Sequence, residues 1–308
     1  MSINRNSFQS LLESSETIIL DGAMGTELDK LECTARCESN LLIPDAVVKV
    51  HENYLRAGSS AIITNTLTMN RIFIESHKLE IDVGKVNVAG VALARQAAHG
   101  SGYVLGNLSS TGQMLEPYGT YSEQTFVDSF KEQAGYLAEG GIDGFIIETM
   151  FDLREAVCAL KACRTIAELP VLVCIAYNTA RGGGRTVMGN SASDCARMLE
   201  SEGADAIGAN CGNIDPDQMA EIVSTLASVT KLPLVAEPNA GMPRLVNGKT
   251  VFDMDAQTFA SGLMKCMKAG ARILGGCCGS TPDHIRAFVK GLQKRKHRRY
   301  MASDCGAA

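Results

Sequence analysis

Residues 269–278 read AGARILGGCC, and three earlier stretches repeat their plan: AGSSAIITNT from Ala57, GGIDGFIIET from Gly140 and EGADAIGANC from Glu202. In each, a glycine at the end of a helical pattern is followed within about four residues by a short apolar run, as expected where a left-handed glycine closes a helix. The run then ends on a polar residue or a cysteine. Counting outward from these four, short β-rich runs occur at Thr17–Leu20, Ala61–Thr64, Tyr103–Gly106, Gly144–Ile147, Val171–Ala176, Ala206–Ala209, Leu232–Ala236 and Arg272–Leu274. Amphipathic helical patterns lie between them, for example at Ala46–Ala57, Glu123–Ala138, Leu153–Ile166 and Ala256–Lys268. Pro44–Asp45 and Pro282–Asp283 are helix-start signals, with proline in the first turn and an acid at the positive helix end. Runs that are apolar almost throughout suit strands buried on both faces of a parallel sheet. Strict alternation of such strands with helices predicts the α/β class, as a closed (β/α)8 TIM barrel rather than an open sheet.

No proline-rich or low-complexity stretch divides the 308 residues, so one barrel domain is expected over residues 1–308, with a basic tail from about 294 to 308. The net charge of −5 gives no broad electrostatic case for nucleic acid or a membrane surface. The basic run Lys294–Arg299 reads as a solvated helix end or tail. No apolar stretch reaches the roughly 18 to 20 residues of a membrane span, and Met1–Gln9 lacks the apolar core of a secretion signal. A cytoplasmic location is therefore expected. The 11 cysteines would then be reduced, and read as metal ligands, nucleophiles or small buried residues rather than a disulfide framework.

Active sites of such barrels form at the C-terminal ends of the strands. The chemically loaded residues fall there: Asp21–Gly22, Thr64–Asn65–Thr66, Glu148–Thr149, Asn210–Cys211, Glu237–Pro238–Asn239 and Cys277–Cys278. Neighbouring side chains on an extended strand point to opposite faces. Cys277 and Cys278 can grip one ion only if the chain turns sharply, which Gly275, Gly276 and Gly279 permit. With Cys211 they would make three soft ligands and leave a tetrahedral position open, the pattern of a catalytic zinc site. Spacing alone leaves a second reading open, in which the pair is simply buried or forms a vicinal disulfide.

Cys33 and Cys37 form another pair, with no third ligand near in sequence, and read as loop cysteines. Cys158, Cys163, Cys195 and Cys266 sit in helical patterns, and Cys174 lies within a strand. Asp21 and Glu148 stand open as a general acid/base pair, anchors for an ammonium group, or structural acids. Helix capping is the plainest role for Asp21, whereas Glu148 follows an apolar run and needs a partner. Gly182–Gly184 lacks the lysine and spacing of a phosphate loop and reads as a flexible loop over the barrel mouth. His51, His77, His99 and His284 read as surface or packing residues.

DGAMGTEL from Asp21, TNT from Thr64, ETMFDLREA from Glu148, GANC from Gly208, EPNAG from Glu237 and GGCCGSTPDHIRA from Gly275 resemble the homocysteine S-methyltransferase family, in order along the chain from about Ile18 to Ala287. The cysteine motif, EPNAG and NGKTV from Asn247 are most similar to the homocysteine-binding domain of bacterial cobalamin-dependent methionine synthases. The resemblance implies a barrel carrying one zinc ion on Cys211, Cys277 and Cys278. It also implies that Asp21 and Glu148 face the substrate ammonium, with the Gly22 backbone and Thr64 beside its carboxylate and Asn65 on the same wall. Two positions depart from the family pattern. GNLSSTG stands from Gly106 where GDIGPTG is common, and Asn178 stands where an aspartate is common.

The expected activity is zinc-dependent S-methylation of homocysteine to methionine. A free alkyl thiol is mostly protonated at neutral pH, and zinc binding deprotonates it into a good nucleophile. The expected donor is a methylcorrinoid on a separate protein. S-methylmethionine, S-adenosylmethionine and betaine are the other donors, and a non-catalytic zinc- or thiol-binding protein is the reading of another class.

Overall fold

The computed structural model describes residues 7–31, 36–246 and 249–304. Eight parallel strands carry the fold: β1 (Ile18–Ile19), β2 (Ala61–Ile63), β3 (Tyr103–Ser109), β4 (Gly144–Met150), β5 (Val171–Ile175), β6 (Ala206–Asn210), β7 (Leu234–Glu237) and β8 (Ala271–Leu274). Their order in the sheet is β1-β8-β7-β6-β5-β4-β3-β2, so each strand lies beside its sequence neighbour and β8 returns to β1. The expected TIM barrel is therefore the observed one.

The seam between β1 and β2 is not a regular ladder. Ser60 closes it, donating its N–H to the Ile19 carbonyl at 2.7 Å while its Oγ accepts from Ile19 N at 3.0 Å. The Asp21 carboxylate takes Ile63 N at 3.0 Å on the same seam. Asp21 thus joins two strands and caps no helix: the helix that follows, Met24–Lys30, has Ala23 at its N-cap and no side-chain cap.

Two apolar layers form around the strands. The inner one fills the barrel with Ile18, Leu105, Ile146, Leu172 and their neighbours. Its lower end is stopped by the short helix Phe8–Glu13, which buries Phe8 and Leu12 in the same cluster. Phe8 packs against Tyr103 at the start of β3, with ring centroids 5.3 Å apart. Arg272, at the start of β8, holds the end of that helix through the carbonyls of Leu11, Leu12 and Glu16. The outer layer lies between strands and helices such as Glu123–Glu139, Leu153–Ile166 and Ala256–Ala269.

Differences from the sequence reading cluster at the upper ends of the strands. β3 and β4 run to Ser109 and Met150, past the ends expected at Gly106 and Ile147. Their polar tips still pair, Ser109 opposite Glu148. An antiparallel hairpin, Arg244–Val246 with Lys249–Val251, was not expected and rises after β7. The Gly182–Gly184 segment is a short turn tied by bridges from Thr179 to Arg185 and from Arg185 to Ser191, rather than a loose loop. The last helix runs from Pro282 to Asp304, so the basic run Lys294–Arg299 continues a helix. Cys33, Cys305 and the Asn247–Gly248 part of the NGKTV motif lie outside the described residues. No helix among the described residues is long and apolar enough to cross a membrane.

Candidate metal centre and substrate cavity

At the upper rim, β6 ends at Asn210 and the chain turns at once. Cys211 adopts a left-handed φ of +51° and Gly212 one of +73°. A side chain at Gly212 would meet the Tyr177 carbonyl at 2.3 Å, so only glycine allows this turn to pack. After β8, Cys277 N donates to the Pro238 carbonyl and Ala240 N to the Cys278 carbonyl, which laces this segment to the one after β7. Gly279 then turns with φ +79°, where a Cβ would strike Phe252.

These turns bring three sulfurs together. Cys277 Sγ and Cys211 Sγ each lie 4.0 Å from Cys278 Sγ, and all three fall within 4.8 Å of one another. Tetrahedral zinc at its usual Zn–S length of about 2.3 Å needs sulfurs about 3.8 Å apart, so the trio is spaced to fit one such ion. The three are half-buried free thiols, and the spacing rules out a disulfide in this state. They share charge unequally. Hydrogen bonds from Cys277 and Cys278 pull the Cys211 thiol down to about 3, and in return Cys277 is held well above the ordinary thiol range and Cys278 at about 12.

Below the sulfurs lies a cavity of about 180 Å³ lined by Asp21, Asn65, Asn107, Glu148, Glu237 and the three cysteines, with Gly22 and Thr64 also on its wall. Three acids in it are buried: Asp21 from β1, Glu148 from β4 and Glu237 from β7. Burial raises all three carboxyl groups above their usual range. Glu148 reaches about 7, and Glu237 is lifted further by the charges of Glu148 and Asp21. Beside Asp21, wholly buried His51 lies 4.0 Å away, and burial pushes it down to about 3, so it is neutral.

Glu148 is held by two amides. Asn107 Nδ2 donates to Oε1 at 2.6 Å and Asn210 Nδ2 to Oε2 at 3.0 Å. Asn210 also binds Thr149 through its N–H at 2.7 Å and its Oγ1 at 2.8 Å, which holds Thr149 at a left-handed φ of +59°. Such strain in a branched residue persists only where its surroundings impose it.

The wall residues differ from expectation in detail. Thr64 Oγ1 accepts Asn107 N at 2.9 Å and lies 2.7 Å from Thr66 Oγ1, which itself donates to the Asn107 carbonyl. The Thr64 hydroxyl proton is therefore committed to Thr66, leaving no free donor for a carboxylate. Asn65 gives its amide to the Arg36 carbonyl at 3.1 Å and to Asn40 Oδ1 at 3.0 Å, so that side chain braces the short helical segment Arg36–Leu42. Cys37 is buried on the wall of the same cavity but is not one of the three clustered sulfurs, and burial raises its thiol to about 11. Asn210 and Glu237 stood among the loaded strand ends in the sequence without an assigned role, and Asn107 only as a departure from the family pattern. Each occupies an inward strand-end position, which was the available signal.

Residues 18–292 match the homocysteine S-methyltransferase family. Among curated proteins, the chain is 29% identical over 304 residues to the methionine synthase of Mycobacterium tuberculosis, and 29% identical over 307 residues to that of Mycobacterium leprae. Each match covers 92% of this chain, which spans 25% of either relative's length. Among solved structures, the fold matches the homocysteine methyltransferase MmuM from Escherichia coli in its metallated form, with a TM-score of 0.75 and 23% identity over 92% of this chain and 99% of that one. With the barrel, the rim cysteines and a family match over most of its length, the chain belongs to the homocysteine S-methyltransferase family.

Proposed function

We propose that this chain methylates the thiol of homocysteine, giving methionine, and that Cys211, Cys277 and Cys278 hold one zinc ion for that purpose. The observation that carries this reading is the sulfur trio, spaced for a single ion, above a small cavity lined by buried acids. When bound, zinc supplies a Lewis acid that keeps an acceptor sulfur deprotonated at neutral pH.

The chain's own residues do the rest. Burial holds the Asp21 and Glu148 carboxyl groups above their usual range, and a substrate ammonium beside them would favour their charged forms and offset the cost of burying them. The Gly22 backbone lies beside the carboxylate end, while Thr64 and Asn65 shape the wall through bonds already made. None of the acids is needed for proton transfer in the reaction. They orient the acceptor so that its sulfur faces the open rim.

We further propose a methylcorrinoid on another domain or protein as the donor. Large apolar side chains are exposed on the loops after β3, β5 and β7: Tyr118, Val187 and Leu245, at 73%, 62% and 77%. A small donor such as S-methylmethionine, S-adenosylmethionine or betaine has no need of such a rim, whereas a docking domain does. The similarity to methionine synthases supports the same choice.

Two measurements test this. Metal analysis of the Cys277→Ser, Cys278→Ser double variant should find no zinc in a folded barrel, and full occupancy would overturn the ligand set. Zinc-loaded protein with homocysteine and each donor in turn should form methionine from methylcobalamin or a methylated corrinoid protein. Methionine from a small donor alone would overturn the donor. Tight homocysteine binding without turnover by any donor would point to a non-catalytic zinc- and thiol-binding protein.

A further inference from the structure

Glu155 is a buried acid that does not line the cavity. It stands in the first turn of the helix Leu153–Ile166 and is 1% exposed. One short stretch fills its acceptors. Thr111 gives Oε1 its N–H at 2.6 Å and its hydroxyl at 2.8 Å, and Ser110 gives Oε2 its hydroxyl at 2.8 Å. Both donor residues belong to GNLSSTG, which departs from the family pattern. A first helical turn favours an acid but does not require a buried one. Burying a carboxyl is costly unless it is hydrogen-bonded, and here the three donors that hold it are neutral and sit on one loop.

That loop, residues 110–122, leads from β3 to the helix Glu123–Glu139 at the upper rim. The start of Leu153–Ile166 grips it twice. Glu155 takes Ser110 and Thr111, while Arg154 donates to the Glu116 carbonyl at 2.7 Å and pairs with Glu123 at 2.9 Å. The two hydroxyls bound to Glu155 also order the next turn: Ser110 Oγ accepts Gly112 N at 3.1 Å, and Thr111 Oγ1 accepts Gln113 N at 3.2 Å. Just before them, the Ser109 hydroxyl donates to the Glu148 carbonyl at 2.7 Å, so the base of the loop is continuous with the cavity wall. Leu115 is buried and anchors the middle, whereas Met114 and Tyr118 are exposed. The loop thus has a fixed base and bare apolar side chains above it.

We propose that Glu155 is a positioning residue that fixes loop 110–122 as the platform on which the methyl donor is received, and that it has no part in holding the metal or the acceptor. This rests on the reading of the chain as a thiol methyltransferase whose acceptor sulfur faces the open rim. A donor reaches that sulfur from the rim side, where Met114 and Tyr118 stand. With Glu155 in place they are presented in one arrangement; without it the base of the loop loses the bonds that order its first turn. Shape rather than charge is the requirement. A glutamine in the same place could accept from Thr111 through its carbonyl oxygen and donate to the Ser110 hydroxyl, which has room to accept.

The test reads donor and acceptor separately, with methylcobalamin and S-methylmethionine each supplied to zinc-loaded protein and homocysteine. For whichever donor turns over, Glu155→Ala should lower the donor kcat/KM by about 10- to 100-fold, the cost of misplacing reacting groups by about an ångström. Homocysteine affinity, read from the absorption of cobalt(II)-loaded protein, should stay within about twofold of wild type, as for sites that share no partner. Zinc content should not change. Glu155→Gln should bring the donor kcat/KM back to within about threefold of wild type. Tyr118→Ala alters an exposed side chain and so tests the platform even where Glu155→Ala does not fold. It should lower the donor kcat/KM by about fivefold or more, the loss of one aromatic contact, with an unchanged melting temperature. An unchanged donor kcat/KM in folded Glu155→Ala or in Tyr118→Ala would overturn the assignment. So would a parallel loss of zinc or homocysteine binding in Glu155→Ala, which would make Glu155 a brace for the whole rim. Wild-type protein that turns over neither donor would instead strike the proposed function itself.

Discussion

Asn210 touches more of the candidate site than any cysteine does. Its side chain reaches Glu148, the Thr149 backbone and hydroxyl, and lies 3.8 Å from Cys277 Sγ. Removing it leaves Glu148 Oε2 without its donor, although Asn107 still holds Oε1, and releases a strained residue at once. Asn210→Ala should therefore cost on the order of 2–4 kcal/mol in denaturant unfolding, more than one ordinary hydrogen bond, and lower zinc affinity without touching a ligand. A loss under about 0.5 kcal/mol would show that the network is slack. Glu148 carries a second residue-scale consequence. Its carboxyl is raised to about 7 in the metal-free fold against an unfolded value of 4.5. The folded state thus holds a proton that the unfolded state has released. The Glu148 contribution is intact below pH 4.5 and is lost as pH rises through about 7. Glu148→Gln cannot titrate, so metal-free variant protein should gain on wild type by roughly 2–3 kcal/mol between pH 5 and pH 8. Parallel stability curves for the two proteins would disprove this.

Among the elements, the helix Phe8–Glu13 and the turns after β6 and β8 do opposite work. The helix stops the lower end of the barrel with Phe8 and Leu12 and belongs to stability. The turns carry the cysteines at the other end. Phe8→Ala should cost about 3–5 kcal/mol, as for a large buried ring, and leave zinc stoichiometry at one per chain. A change in metal content would mean that the two ends are coupled. Helix boundaries were legible where local chemistry marks them: Asp152 caps Leu153–Ile166, whose ends are those read from sequence, and Gly58 closes the helix that ends at Ala57. Upper strand ends were less legible. Polar residues such as Glu148 and Ser109 look like loop from composition, yet their backbones still pair in the sheet while their side chains enter the cavity. The hairpin after β7 was missed because its exposed strands show no buried periodic face.

For the molecule as a whole, the energetic problem is three buried acids and a sulfur trio gathered at one mouth. Zinc and an ammonium-bearing thiol are the charges that would balance them. Metal binding should therefore stabilise the fold markedly, by about 3–4 kcal/mol at 100 to 1,000 times the dissociation constant. Chelated protein should melt several degrees lower with unchanged far-UV circular dichroism, and homocysteine should raise the melting temperature only when metal is present. Melting that ignores the chelator would argue against a resident ion.

The amino-acid sequence by itself determined the barrel and picked out the three cysteines whose sulfurs gather at its rim. Strand burial, glycine helix ends and the order of motifs are local signals, and a βα barrel places the upper ends of its strands on one rim whatever the loops do. Only the tertiary structure decided which polar atoms pair and with which partners. Asp21 proved to be a bridge across the β1–β2 seam, Thr64 to be spent on Thr66, and Asn107 to meet Glu148. The physical reason is that hydrogen-bond satisfaction is a property of pairs. Glu148, Asn107 and Asn210 come from three different strands, 41 and 62 residues apart in sequence from the acid they hold, and nothing local to any of them records that they meet.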